Sequence, residues 1–313
     1  MDTFRAMHTF VQIADQGSLT AAARALDTSL PAVVRALAAL EQHLGVRLFN
    51  RTTRRIALTD EGRAYLDSCR HVLSAVQDAE AALKEGASEP TGQLTVTAPV
   101  QFGQMFVAPA LTAFAQHHPR VRCRVLLFDR VVNLLDEGID VGVRIGALDD
   151  SALVARHVGT IRRVVVASPA LLDSAGTPAQ PQALRGARCI RFTGAAALGW
   201  RFDMDGRKVT VEIGGNLEFN HIAPAVDACA AGAGFGMFLS YQVAPLVASG
   251  RLRVVLEAFE PPPRPVHVVY PHARLLPRRT RLCIDWLKQS LTGPDGPFGA
   301  AEPAGMHGEA ARA

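Results

Sequence analysis

Seven arginines lie within the first 59 residues of this 313-residue chain, where only four acidic residues oppose them. This stretch carries +3 of the chain's net charge of +4. Arg51, Arg54 and Arg55 fall within five residues of one another with no acid between them, and Arg35 lies further upstream. Guanidinium groups donate paired hydrogen bonds to phosphates and to the guanine edge in the major groove. A solvated loop is the alternative, but the charge asymmetry favours contact with DNA.

The elements that would position these arginines form a predicted helix-turn-helix. Apolar residues recur at helical spacing in the first segment, at Phe4, Met7, Val11 and Ala14, with Phe10 beside them. Ser18 is a good N-cap for a second helix over 19–26, and a third helix opens near Ser29 after a two-residue break. Two helices joined by so short a turn form a helix-turn-helix.

The third helix has one apolar face and one face that is free to enter a groove. Its predicted inner face carries Val33, Leu37, Leu40 and Leu44, and its predicted outer face carries Pro31, Arg35, Ala38 and Gln42, flanked by Val34. A hairpin of 46–49 with 56–58 would present the arginine cluster as a wing. Thr28 and Ser29 either bond phosphates or cap the helix. The candidate DNA-contacting residues are Thr28, Ser29, Leu30, Pro31, Val34, Arg35, Arg51, Thr52, Arg54 and Arg55.

A long helix is predicted next, from Thr59 to Gly86. Spacings of four and three alternate along it, at Tyr65, Cys69, Val72, Val76, Ala79 and Leu83. This is a heptad seam, which an isolated helix cannot bury, so we expect the helix to dimerise. A Gly-, Ser- and Pro-containing linker follows it.

Beyond residue 93 the chain changes to short β-rich runs between helices, which predicts a mostly parallel α/β sheet. Helices are expected near 104–117 and 131–137, and an amphipathic helix over 279–291 closes this part. The stretch 292–313 is rich in glycine, proline and alanine and is predicted to be a disordered tail.

Enzyme signatures are missing from the sequence. It contains no GxSxG, HExxH or GxxxxGK[ST] string, its five cysteines occur singly, and no histidine pair has metal-ligand spacing with acidic or thiol support. We therefore expect no catalysed reaction, no metal and no cofactor. Unpaired cysteines and a start without a secretory signal predict a cytoplasmic protein. The uncharged run 228–250 is interrupted by glycines and a proline, so no membrane span is expected.

The string GSLTAAARALDTSLPAVVRALAALEQHLGVRLFNRTTRRIALTDEG (17–62) resembles the N-terminal domain of LysR-type transcriptional regulators. The similarity continues in LTVTAPVQFG, DRVVNLLDEGIDVGVRIG and RRVVVASPALL and covers roughly residues 1–291. The resemblance implies an α/β fold with an all-α N-terminal part. Its domains would be a winged helix-turn-helix (1–59), a dimerising linker helix (60–86), a hinge linker (87–93) and a two-lobed Rossmann-like effector domain of the periplasmic-binding-protein type 2 (94–291).

The same resemblance implies partners and a site. The partners would be operator DNA, a small effector, further copies of the chain in a dimer or tetramer, and RNA polymerase. Lobe I would cover about 94–162 and 267–291, and lobe II about 163–266, with the effector in the cleft between them. We expect that effector to be a small anionic metabolite. A departure from the family pattern is that Leu30 and Val34 stand where such regulators commonly carry glutamine and serine.

Candidate effector-binding residues follow from their positions at strand and helix ends. Backbone N–H groups at a helix start suit a carboxylate, which singles out Val100, Gln101 and Phe102, although ordinary strand-to-helix turn chemistry is the alternative. The second lobe contributes Phe202, Phe219, Asn220, His221, Leu239 and Ser240, for which core packing is an equal alternative.

Arg144 follows an apolar strand into Gly146, and both are candidate effector-binding residues, with Arg144 as the partner for an anionic group. The alternative is a structural pair with Asp129 or Asp140. Two other classes of protein compete with a regulator: a solute-binding protein whose N-terminal helices only pack, and an α/β enzyme with a helical appendage. The arginine-rich wing and the missing catalytic motifs argue against them.

Overall fold

A computed structural model describes residues 2–52, 55–83, 89–148, 153–193, 199–272 and 276–299. The chain divides into two compact units. The N-terminal unit comprises 1–93 with the short segments 135–138 and 273–279, and the second unit comprises the remainder. Within the described ranges, no helix is long and apolar enough to cross a membrane.

The N-terminal unit opens with the three predicted helices, α1 (Thr3–Gln16), α2 (Leu19–Ala25) and α3 (Leu30–Leu44). Ser18 and Ser29 are N-caps, because their hydroxyl oxygens accept the N–H of the third residue that follows each of them. Gly17 ends α1 in the left-handed region, at φ 62°, where a side chain would be strained.

The core of this unit forms along one face of each helix. On α3 the predicted inner face is confirmed, since Val33, Leu37 and Leu40 are buried. On α1 most of the predicted stripe is confirmed, since Phe10 and Val11 are buried and Met7 and Ala14 pack against the core. Phe4 is the exception, because it is 43% exposed.

The wing is an antiparallel hairpin of β1 (Phe49–Thr52) and β2 (Arg55–Leu58). The expected first strand, 46–49, was placed three residues too early. The cause is Glu41, whose carboxylate accepts the N–H groups of Leu48 (2.9 Å) and Phe49 (3.3 Å). These bonds tie the entry to the wing to α3, so cross-strand pairing starts only at Phe49.

The long helix α4 (Asp60–Leu83) follows as predicted, but its seam divides into two parts. Cys69 is fully buried in the N-terminal core, against which Tyr65 also packs, so these two positions are not available to a partner helix. Val72 and Val76 remain exposed, at 43% and 36%. The side chains of Ala79 and Leu83 lie outside the described residues.

The second unit contains two main sheets. Its strands are β3 (Gly92–Ala98), β4 (Val121–Leu127), β5 (Val141–Ile145), β6 (Leu153–Ile161), β7 (Arg163–Ala167), β8 (Arg188–Phe192), β9 (Gly199–Met204), β10 (Arg207–Glu212), β11 (Gly214–Phe219), β12 (Gly236–Leu239), β13 (Arg253–Val255) and β14 (Arg264–Pro271). The larger sheet has the order β4-β3-β5-β14-β6, and the smaller sheet has the order β12-β7-β13. The chain passes from the larger sheet to the smaller one at Arg162, between β6 and β7, and returns at β14.

Helices alternate with these strands, two of them close to the predicted 104–117 and 279–291. They are α5 (Val100–Phe102), which continues through a π-helical turn (Gly103–Val107) into α6 (Ala108–His117), then α7 (Pro169–Ala175), α8 (Ile222–Ala230), α9 (Ser240–Ala248) and α10 (Arg278–Thr292). The helix expected over 131–137 is absent; this described segment consists of turns, with Val132 and Leu134 buried and Val131 91% exposed.

One further expectation was wrong, and a second was wrong for the first part of its range. The sheets are not mostly parallel: β3 with β5 and β8 with β11 are parallel, but β14 is antiparallel to β5 and β6, and β12 and β13 are antiparallel to β7. The tail is ordered as far as residue 299: the Phe298 N–H donates to the Leu291 carbonyl (3.0 Å), and its ring stacks near Phe102 at 6.3 Å. Residues 300–313 lie outside the described part.

Candidate DNA-binding surface and ligand cavity

The outer face of α3 is exposed along its length. Pro31, Arg35 and Ala38 are exposed, Leu30 is 41% exposed, and Val34 is partly buried beside them. The inner face of α3 is fixed by its packing on α1 and α2, and this orients the outer face away from the core. A rigid helix with one arginine among short apolar side chains is thereby available for a groove.

The residues at the start of α3 have a defined structural role. The Ser29 hydroxyl oxygen accepts the Ala32 N–H at 3.3 Å, and the Thr28 N–H donates to the Ala23 carbonyl at 3.0 Å. Ser29 therefore caps the helix, and its position at the N-terminus also suits a phosphate.

The wing residues lie on the hairpin by their backbone positions. Arg51 and Thr52 are in β1, and Arg55 is in β2, directly opposite Thr52. Arg54, between these strands in the sequence, lies outside the described residues.

The second unit contains a cavity of about 1130 Å³. Of the predicted effector residues, Arg144, Gly146, Phe202 and Leu239 line it. Arg144 donates a hydrogen bond of 2.7 Å to the Val132 carbonyl, which holds the guanidinium at the cavity wall.

The predicted helix-start site is already occupied by an internal carboxylate. Val100, Gln101 and Phe102 are not among the cavity-lining residues. The Val100 N–H donates to Asp129 Oδ1 at 3.0 Å, so Asp129 takes the place that a ligand carboxylate was expected to fill. Phe102 is fully buried and packs edge-on against Tyr241 at 5.3 Å between centroids.

Four predictions on the smaller-sheet side also miss the cavity lining. Phe219 packs in the core, and Ser240 begins α9 with its N–H donated to the Arg162 carbonyl at 2.9 Å. Asn220 and His221 are exposed. Their near neighbours Glu218, close to the end of β11, and Ile222, the first residue of the following helix, line the cavity instead.

The charged residues of the cavity lining are mostly cationic, and of these only Arg144 was predicted from the sequence. The cationic lining residues are Arg130, Arg144, Arg163, Arg191, Arg201, Lys208 and Arg264, and the acidic ones are Asp129 and Glu218. Trp200, Ile213 and Met237 add an apolar portion. The signal that would have found Arg163 and Arg264 is their position at the two chain crossings between sheets.

Burial and neighbouring cations act together on Arg163. Burial, which is the larger cause, and repulsion from Arg264 and Arg201 together lower the pKa of Arg163 to about 10. The guanidinium of Arg163 remains protonated at neutral pH, so it is repelled there by both Arg264 and Arg201.

These two units define a class of protein: a winged helix-turn-helix is joined through a long helix to a two-sheet unit with a ligand cavity. Residues 4–63 match the family described as the bacterial regulatory helix-turn-helix protein, lysR family, and residues 87–292 match the LysR substrate binding domain. The chain belongs to the LysR family of DNA-binding transcriptional regulators.

Relatives and solved structures agree with this assignment. The chain is 37% identical to an HTH-type transcriptional repressor of Pseudomonas aeruginosa strain UCBPP-PA14 over 292 residues, covering 92% of each chain. It is 33% identical to the transcriptional regulator PtxR of Pseudomonas aeruginosa, covering 91% of this chain and 92% of PtxR. The structure of CrgA from Neisseria meningitidis matches with a TM-score of 0.60 at 29% identity, covering 92% of this chain and 99% of that one. These likenesses confirm the predicted fold class and family.

Proposed function

We propose that this regulator changes its operator binding or promoter activation when a small anionic metabolite occupies the cavity of the second unit. The observation that carries this proposal is the cavity lining, which contains seven cationic side chains and two acidic ones. Such a cavity raises the local concentration of anions and favours their binding. In this proposal the chain works in the cytoplasm and catalyses no reaction.

We assign the two proposed lobes to the two sheets. Lobe I, about 94–162 and 267–291, holds the larger sheet, and lobe II, about 163–266, holds the smaller one. The proposed effector contacts retained from sequence analysis are Arg144, Gly146, Phe202 and Leu239, all in the cavity lining. An effector bound between the lobes would stabilise one arrangement of the lobes over another. This shift in the equilibrium would change how the distant N-terminal unit binds DNA.

The proposed DNA-bound form is a homodimer through α4, or a tetramer built from such dimers. Val72 and Val76 support it, because they are large apolar side chains exposed one turn apart on the same helix. Promoter activation would add a contact with RNA polymerase.

The α3 surface supports a particular kind of base recognition. Leu30, Pro31, Val34 and Ala38 have no side-chain donor or acceptor, and they surround Arg35. In the major groove, the group that such a surface can contact favourably is the thymine methyl. We therefore propose A/T-rich half-sites in which Arg35 contacts a guanine or a phosphate.

Selection of duplexes from a random pool with the full chain tests this function. We expect an enriched A/T-rich inverted repeat, and recovery of unrelated sequences with no common site would contradict the proposal. On the selected site, replacing thymine by uracil removes only the methyl group and should weaken binding measurably. Affinity that is unchanged by uracil throughout the half-site would refute methyl contact.

The variant Arg35→Ala should lose about 1–3 kcal/mol of binding free energy on the selected site and relax preference at one base pair, if Arg35 forks onto guanine. A uniform loss across sequences would make Arg35 a phosphate contact instead. Arg63→Ala is the matched control, because Arg63 is exposed on α4 and pairs with Asp60 rather than lying on the α3 face. Equal losses in both variants would contradict a special role for Arg35.

A further inference from the structure

The two crossings between the sheets bring cationic side chains to the cavity. Arg163 begins β7, directly after the chain leaves the larger sheet, and Arg264 begins β14, where the chain returns. Arg264 is opposite Ile161 in the β6–β14 register, two residues before Arg163. Arg201, in β9, completes the group on the smaller-sheet side.

Nearby carboxylates are engaged elsewhere. Glu260 accepts two hydrogen bonds of 2.8 Å from the neighbouring Arg162, and Glu257 accepts a third at 3.1 Å. Of the two acids in the cavity lining, Glu218 pairs with Arg191 at 3.3 Å, and Asp129 accepts the Val100 N–H. Within the described part of the chain, no carboxylate forms an ion pair with Arg163, Arg201 or Arg264.

We propose that Arg163, Arg201 and Arg264 form the anion-binding end of the cavity and select an effector with two negative charges, such as a dicarboxylate or a phosphate or sulfate group. The three guanidinium groups line one cavity without a carboxylate partner, and a bound dianion would offset the repulsion of Arg163 by the other two. Their forked donors match the oxygens of such a ligand. Trp200, Ile213 and Met237 provide the apolar wall for the remainder of the ligand. This inference rests on the proposed function and specifies the ligand class of the same cavity.

The position of the three arginines gives the site a regulatory consequence. Arg163 and Arg264 begin the two strands that directly follow the chain crossings between the sheets, whereas Arg201 belongs to the β9–β10 hairpin. A dianion that contacts all three connects the crossing strands to the hairpin and stabilises that arrangement. At the predicted helix-start site, by contrast, the Val100 N–H already donates to Asp129.

Thermal melting of the full chain tests the proposal with sulfate and succinate as probes, each compared with acetate at equal ionic strength. At about ten times the dissociation constant, a dianion should raise Tm by roughly 3–6 °C, whereas acetate should not. A larger shift with succinate indicates two separated carboxylates, and a larger shift with sulfate indicates a phosphate or sulfate group. Equal shifts with the dianions and acetate would overturn the proposal.

Substitutions of single arginines show where the dianion binds. Arg163→Gln, Arg201→Gln and Arg264→Gln should each abolish the dianion shift, while Arg253→Gln should retain it, because Arg253 is an exposed arginine opposite Ala167 at the other end of β7. Without any probe, Arg201→Gln should melt no lower than the unmodified chain, since its exposed side chain adds repulsion to Arg163. A full dianion shift in Arg201→Gln would overturn the assignment even if the other two variants failed to fold.

Operator selection and thermal melting of the full chain together distinguish a failure of this inference from a failure of the proposed function. If operator selection succeeds and dianions have no specific effect on Tm, the arginine site is wrong and the regulator assignment stands. If no sequence is selected and the dianion shift is present, the ligand site stands and the DNA-binding proposal fails.

Discussion

Replacing both Val72 and Val76 by aspartate is expected to weaken dimerisation by about 100- to 10,000-fold. Both valines are exposed on α4, at 43% and 36%, and they continue the predicted heptad seam beyond the part buried in the N-terminal core. In a dimer they would face a partner helix. A carboxylate buried there without a counter-ion costs about 3–5 kcal/mol, which corresponds to this loss of affinity.

Sedimentation of the double variant measures this effect. The fold of each subunit should persist, because the core contacts of α4 are made by Leu66, Cys69 and Leu73 and not by the two valines. Ala64→Asp is the control: Ala64 is exposed on the same helix, roughly 100° around from the seam. An unchanged sedimentation coefficient in the double variant, or an equal change in the control, would contradict dimerisation through this surface.

Operator binding should weaken in parallel with dimerisation. A single subunit can contact only one half-site, so the variant loses the gain that comes from linking two binding events.

The N-terminal unit could be predicted almost completely from sequence because its signals are local. Ser18 and Ser29 are caps, Gly17 ends a helix, and Val33 and Leu37 have helical spacing. The wing was misplaced by three residues because its start depends on Glu41, which accepts N–H groups seven and eight residues further along the chain. No local pattern shows a bond of that kind.

The cavity was predicted less well because its lining comes from distant parts of the chain. Arg144, Gly146, Phe202 and Leu239 were identified from strand ends and do line it. Val100 was assigned to a ligand because its N–H begins a helix, but Asp129, 29 residues later, accepts that N–H. The sequence shows that the Val100 N–H is a donor at a helix start, but it does not show that Asp129 is the acceptor.

The arginine group was missed for a related reason. Arg163 and Arg264 are 101 positions apart in sequence. Each is the first residue of an ordinary strand. They meet at the cavity because the chain crosses between sheets at both places, which is a property of the topology and not of either segment.

Operator affinity should fall by about 10³- to 10⁵-fold between 50 and 200 mM salt. The basic N-terminal unit, with Arg35 on the α3 face and the arginines of the wing hairpin, is expected to form about six to ten phosphate contacts per dimer, and each contact releases a condensed counter-ion. A solute-binding protein or an enzyme with a helical appendage would have no such dependence.

The most direct test of DNA recognition as the function of this chain is a titration of the selected operator against a scrambled duplex of equal length across this salt range. The account predicts a linear fall of log affinity with log salt for both duplexes, with the operator bound at least about 10³-fold more tightly near physiological salt. Equal affinity for the two duplexes, or affinity independent of salt, would contradict it.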